Sequence, residues 1–238
     1  MKALFEASEP AFAEALDLLG RYEPELLAFG SEPPPAPRFE QDWFPRLDGA
    51  MAYALVRWSR PERIIEIGAG HSTRFLARAI ADEGLDTAFT TIDPHPKRSP
   101  DQLNVEHLEC PVQDLSVDRF DALSAGDVLF IDSSHKYAPG SDVAFLFDEI
   151  MPGLPPGVFV HVHDIFLPDD YPEEWAWRGY SEQQALAPLL GSGGFDCLFS
   201  SHYVATRMAE ALTASVVRRL PLPEGARETS FWLRTAER

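Results

Sequence analysis

Two short segments of this 238-residue chain bring acids and imidazoles together at spacings that suit proton transfer or metal binding. The first, Val128-Leu129-Phe130-Ile131-Asp132-Ser133-Ser134-His135, places Asp132 and His135 just past a continuous apolar run. The second, Val158-Phe159-Val160-His161-Val162-His163-Asp164-Ile165-Phe166, ends another apolar run with His163 and Asp164. As ends of neighbouring parallel strands these lie about 4.8 Å apart, so Asp132, His163 and Asp164 could share one ion. Two carboxylates and one imidazole favour a hard divalent cation, Mg²⁺ or Mn²⁺, over zinc. Such an ion lowers the pKa of a bound oxygen, and His135 stands ready as general base. The plainer readings are a hydrogen-bonded pair at a strand end for His163-Asp164 and a loop histidine for His135. His161 is expected to do packing or supporting work.

A third segment reads as a ligand-binding turn. Arg63-Ile64-Ile65-Glu66-Ile67-Gly68-Ala69-Gly70-His71-Ser72-Thr73-Arg74-Phe75-Leu76 is strand, glycine turn, then helix. In an open parallel sheet such a turn sits at the carboxyl ends of the strands, where ligands bind. Thr73 stands where the dinucleotide fingerprint wants Gly or Ala, which argues against a nicotinamide oxidoreductase. The next strand ends in Asp93, where a carboxylate can accept bonds from ribose hydroxyls.

The pattern Glu66-x-Gly68-x-Gly70 resembles motif I of the class I S-adenosylmethionine-dependent methyltransferases. Ser72 stands where a third glycine is often found. The combination of Phe130-Ile131-Asp132-Ser133-Ser134-His135 with His161-Val162-His163-Asp164-Ile165-Phe166-Leu167-Pro168 resembles the methyltransferase-domain 24 family. It is also similar to the metal-dependent sugar O-methyltransferases of macrolide biosynthesis. This resemblance, over about residues 62–235, implies that Glu66, Gly68, Gly70, Ser72, Thr73 and Asp93 belong to an S-adenosylmethionine site. It places Asp114, after the third strand, at the adenine amine, although a helix N-cap explains Asp114 equally well. It implies that Asp132 is a metal ligand and His135 the base, with His163-Asp164 as the later ligand pair. His163 replaces a second carboxylate of that group. The expected reaction is methyl transfer to a small-molecule hydroxyl; a non-catalytic cofactor-binding module on the same fold is the alternative.

The elements that must position these groups follow from hydropathy. Strands are expected at 63–67, 88–92, 104–108, 127–131, 157–162, 195–200 and 230–233, with helices at 72–82, 142–150 and 181–190 between them. Alternation of this kind predicts an α/β three-layer, Rossmann-like sandwich with a mostly parallel seven-stranded sheet and an antiparallel strand at its edge. Residues 1–60 read as a helical extension, with helices over 8–29 and 44–59 joined by the proline-rich 31–37, and 61–238 as the methyltransferase domain. The extension would cover the cofactor or join two copies into a homo-oligomer. Residues 169–180, acidic and aromatic, suit a lid over a sugar, a phenol or a cation, or else an ordinary exposed loop.

Composition narrows the partners. Asp and Glu total 38 against 20 Lys plus Arg, a net charge of −18, which opposes nucleic acid and anionic lipid. No run reaches the roughly 18 apolar residues of a membrane span, and no signal peptide is evident, so a soluble, cytoplasmic protein is expected. Cys110 and Cys197 have no CxxC partner. The convergence of acids on the crevice leans towards a neutral or cationic acceptor.

Overall fold

The computed structural model describes residues 1–237. Apolar runs become strands β1 (Arg63–Ile67), β2 (Ala88–Ile92), β3 (Glu106–Leu108), β4 (Val128–Ile131), β5 (Phe159–Val162), β6 (Phe195–Ser200) and β7 (Phe231–Thr235). They form one sheet in the order β3-β2-β1-β4-β5-β7-β6. Strands β1 to β5 pair in parallel, and β7 runs antiparallel to both β5 and β6. All four residues of β4 are fully buried, as expected for a strand covered on both faces.

Strand order reverses between β1 and β4, and their carboxyl ends therefore open the crevice in which open α/β sheets bind ligands. The glycine turn leads from β1 directly into α4 (His71–Glu83), which buries Phe75, Leu76 and Ala79 and ends at Gly84 in the left-handed conformation.

The N-terminal region forms α1 (Lys2–Gly20), α2 (Glu23–Ala28) and α3 (Arg46–Ser59). Helix α1 starts six residues before the expected Ser8 and runs through Pro10. Its stripe begins with Phe5, whose ring stacks on Phe231 at 5.6 Å, while Phe12 meets Phe199 at 6.2 Å. Tertiary burial of that aromatic face outweighs the local cost of a proline in the helix. Helix α3 is rich in small residues and lies close against α4; a Cβ on Gly49 would come within 2.6 Å of the Phe75 ring. Between α2 and α3 the chain forms a strap over the crevice. Its Phe39 packs on Phe75 at 5.3 Å and its Phe44 on Phe130 at 5.8 Å.

After β4 come a short α5 (Asp142–Ala144) and a π-helical continuation over Phe145–Ile150, then β5, α6 (Glu182–Gly191) and β6. Two helices absent from the sequence expectation, α7 (Ser201–Arg207) and α8 (Ala209–Ala214), link β6 to β7. Their brevity hid them from a periodicity reading. No helix among the described residues is long and apolar enough to cross a membrane.

Candidate active site

Gly68 leaves β1 at φ +89°, and a Cβ there would sit 2.1 Å from the backbone oxygen of Asp132. Only glycine lets the ends of β1 and β4 run this close. Gly70 is different. Its backbone is extended, and a Cβ added there would meet nothing within 4 Å, so the space above it is open to a ligand.

Below the turn lies Glu66, fully buried, accepting a hydrogen bond from Ser72 Oγ at 2.7 Å. Burial pushes its carboxyl up to about 8, against the hydroxyls of Ser72, Thr73 and Thr91. The Gly70 N–H donates to Thr73 Oγ1 at 2.9 Å. Ser72 and Thr73 are buried and spend their hydroxyls on the turn itself, which explains why a third glycine is not needed there. Asp93 accepts from the Ala69 and His95 amides, each at 2.8 Å, and so ties β2 to the turn. Asp114 lies exposed in a 3-10 turn (Val112–Asp114) whose N-cap position belongs to Pro111, so it caps no helix.

The second half of the site centres on His135. Its Nδ1 is 2.6 Å from Oε1 of Glu182, and its Nε2 is 3.4 Å from Asp132 and 3.7 Å from Asp164. The Tyr180 ring lies 4.4 Å away. Both His135 (φ +61°) and Asp164 (φ +56°) adopt left-handed backbone, a conformation that costs free energy and recurs where side chains must be aimed. Thr229 Oγ1 donates to Asp164 at 3.0 Å, and Arg178 lies 3.9 Å from its other oxygen. Burial alone would lower the His135 pKa, but Glu182, Asp132 and Asp164 outweigh it and hold the ring well above its usual range. Asp132 goes the other way: burial opposes its charge, yet His163 and His135 bring it down to about 2.

Glu182, the first residue of α6, is a site residue that the sequence does not reveal. It is fully buried. Nothing local distinguishes it, because its partner lies 47 residues earlier. Thr229, Arg178 and Tyr180 also reach the site from distant segments. His161 stacks on Phe130 at 3.7 Å and bonds Ser230 Oγ at 2.9 Å, a packing role.

His163 is the predicted ligand whose placement differs most. Its Nε2 donates to the Trp43 carbonyl at 2.9 Å, which fixes it to the strap. Its Nδ1 is buried without a hydrogen-bond partner, while Nε2 also lies 3.7 Å from Asp164 Oδ1, as far as His135 Nε2 lies from the other oxygen of that carboxylate. Among the described residues no three His, Cys, Asp or Glu side chains converge as a metal would require. Asp132, His163 and Asp164 thus stand near one another without forming an assembled metal centre, and the chemistry below uses none.

The aromatic loop crosses the mouth. Trp175 packs on Phe166 at 5.0 Å with the Arg178 guanidinium 3.8 Å above it, while Trp177 is 81% exposed. Two surface cavities, of about 470 and 410 Å³, lie elsewhere, beside Tyr203 and Pro156 respectively.

Residues 65–165, from β1 to the loop after β5, match the family described as a methyltransferase domain. The structure is similar to the SAH-bound methyltransferase PaMTH1 of Podospora anserina, with TM-score 0.52 and 17% identity over 94% of this chain and 88% of that one. It is also similar to the plantazolicin methyltransferase BpumL, in complex with a pentazolic desmethylPZN analog and SAH. There the TM-score is 0.51 and the identity 14%, covering 95% of this chain and all of the other. At these identities the likeness is one of fold. No curated protein matches the sequence.

Proposed function

We propose that this chain, whose residues 65–165 match a methyltransferase-domain family, transfers a methyl group from S-adenosylmethionine to the hydroxyl of a small molecule. The observation that carries the reading is the open space above Gly70 beside a buried His135–Glu182 pair. The glycine turn, with Asp93 behind it, would hold the cofactor. Asp132, kept ionised and partly exposed, suits a ligand that bears a sulfonium. When bound, S-adenosylmethionine supplies an electrophilic methyl group.

The protein's own part is proton handling. Glu182 accepts from Nδ1 and stabilises the ring when it is positive, leaving Nε2 to face the crevice. The surrounding carboxylates favour the imidazolium, so Nε2 must first lose its proton to solvent. It can then take the proton of an acceptor hydroxyl as that oxygen is alkylated. Asp132 and Asp164 flank Nε2 and orient the ring. Tyr180 and Trp175 screen the site from water.

Calorimetric titration with SAH tests the cofactor assignment: micromolar binding is expected, and no binding would overturn it. Metal assistance, expected from the sequence, has less support because His163 is turned to the strap. Turnover should survive EDTA; loss on chelation with recovery on adding Mg²⁺ would restore the metal reading.

A further inference from the structure

We infer that the mouth of the crevice contains an anion subsite that takes a carboxylate or phosphate group carried by the methyl acceptor. This rests on the methyl-transfer reading for the identity of the ligand, though the subsite is built from residues outside that machinery.

Arginines elsewhere in the chain are typically matched to acids, as Arg46 is to Glu228 and Arg57 to Glu25, both at 2.8 Å. Among the described residues Arg21, Arg119, Lys136 and Arg218 are single unpaired cations, so what marks the next four is that they are unpaired together. Arg38, Arg74, Lys97 and Arg98 form no ion pair among the described residues. They come from three separate segments: Arg38 from the strap, Arg74 from the first turns of α4, and Lys97 and Arg98 from the loop after β2. Lys97 Nζ and the Arg98 guanidinium both lie over the Trp43 ring, at 4.5 and 5.8 Å. The carbonyl of that same Trp43 is bonded to His163, so the cluster stands over the end of β5, beside the reacting groups.

At its inner side is His71, 5% exposed, with Nδ1 buried and unpartnered; Arg38 Nε is likewise buried without a partner. Burial first, and then Arg74, Arg98 and Arg38, push the His71 ring down to about 4, with Asp42 opposing them. Burial and the same two arginines also lower Arg74. Like charges held together around orphaned polar atoms are unfavourable until an anion arrives to satisfy them. Guanidinium groups are suited to the planar or tetrahedral oxygens of an acid group.

The cofactor does not balance this charge. S-adenosylmethionine has a sulfonium and an ammonium against one carboxylate, so it is itself net cationic. Four more cations at the same mouth call for a separate anion, and the acceptor is what enters there. The overall acidity, which leaned towards a neutral or cationic acceptor, is thus locally reversed.

The test is calorimetric titration at low salt, with and without saturating SAH, using inorganic phosphate, 4-hydroxybenzoate and the neutral 4-hydroxybenzamide. Phosphate and hydroxybenzoate should bind and the amide should not. Arg74→Gln/Arg98→Gln should lower anion affinity about tenfold while SAH affinity stays within about twofold. The single Arg98→Gln, at an exposed position, serves as a check should the double variant melt early. Absence of anion binding, or equal binding of the amide, overturns the subsite. Loss of SAH affinity in the variants assigns the cluster to the cofactor's own carboxylate and overturns it too. Failure of the wild type to bind SAH while anions still bind counts against the methyl-transfer reading and leaves the subsite supported.

Discussion

Glu66 carries a carboxyl that the folded chain keeps protonated near neutral pH. Unfolded, it titrates near ~4.3. Between that value and about 8 the folded state holds a proton that the unfolded chain has lost, so this group makes stability fall as pH rises. Glu66→Gln retains an acceptor for Ser72 and cannot ionise. Its Tm relative to wild type should rise between about pH 5 and pH 8, by roughly 2–4 °C for each kcal/mol recovered; a pH-independent difference would show that another group titrates. His135 obeys the opposite logic for activity. Its raised pKa means that the rate should climb with pH above the ordinary histidine range. Asp132→Asn removes one of the charges that stabilise the imidazolium, and the climb should shift to lower pH by about one unit. His135→Gln should cut kcat by about 10²–10⁴-fold without weakening SAH. A pH–rate profile for wild type and both variants, with the best hydroxyl acceptor of a panel, reads all of this.

The turn between β1 and α4 separates structural from ligand-binding need within three residues. Gly68→Ala would drive a methyl into the Asp132 carbonyl at a left-handed position, with a cost of about 2–5 kcal/mol. Gly70→Ala meets no protein atom. It should melt within about 1 kcal/mol of wild type, yet bind SAH about tenfold more weakly because the methyl occupies ligand space. Thermal melts paired with SAH titration distinguish the two; equal SAH affinity in Gly70→Ala would move the cofactor elsewhere. Both glycines were legible in the sequence, as were β1, β2 and β4 and the positions of Asp132 and His135 at a strand end. Such features depend on local hydropathy and on residues adjacent in the chain. Glu182 was not legible, because only the packing of α6 against the β4–α5 loop makes a first-turn acid the partner of His135.

At the scale of the molecule, the helices before residue 61 share the core of the sheet. Phe5 and Phe12 pack on Phe231, Phe199 and Tyr203, and α3 lies against α4. A fragment of residues 61–238, the unit expected from the hydropathy pattern, should therefore show no cooperative melt and should aggregate with its aromatic face exposed; a sharp transition would show that the extension is dispensable. The charge of −18 also changes meaning once it is distributed in space. Glu66 is neutral, Asp93 is bound to backbone amides, and four unmatched cations stand where the crevice opens. By itself the sequence determined the alternation of buried strands and helices, the glycine turn and the strand-end acids and histidines, since each depends on period, steric freedom or chain adjacency. Only the tertiary structure decided that β7 enters between β5 and β6, that His163 turns to the strap, that Glu182 reaches His135 and that Arg38, Arg74 and Arg98 all act on His71. These are contacts between segments far apart in the chain, where burial and charge are set by what folds against a residue and not by its neighbours in sequence.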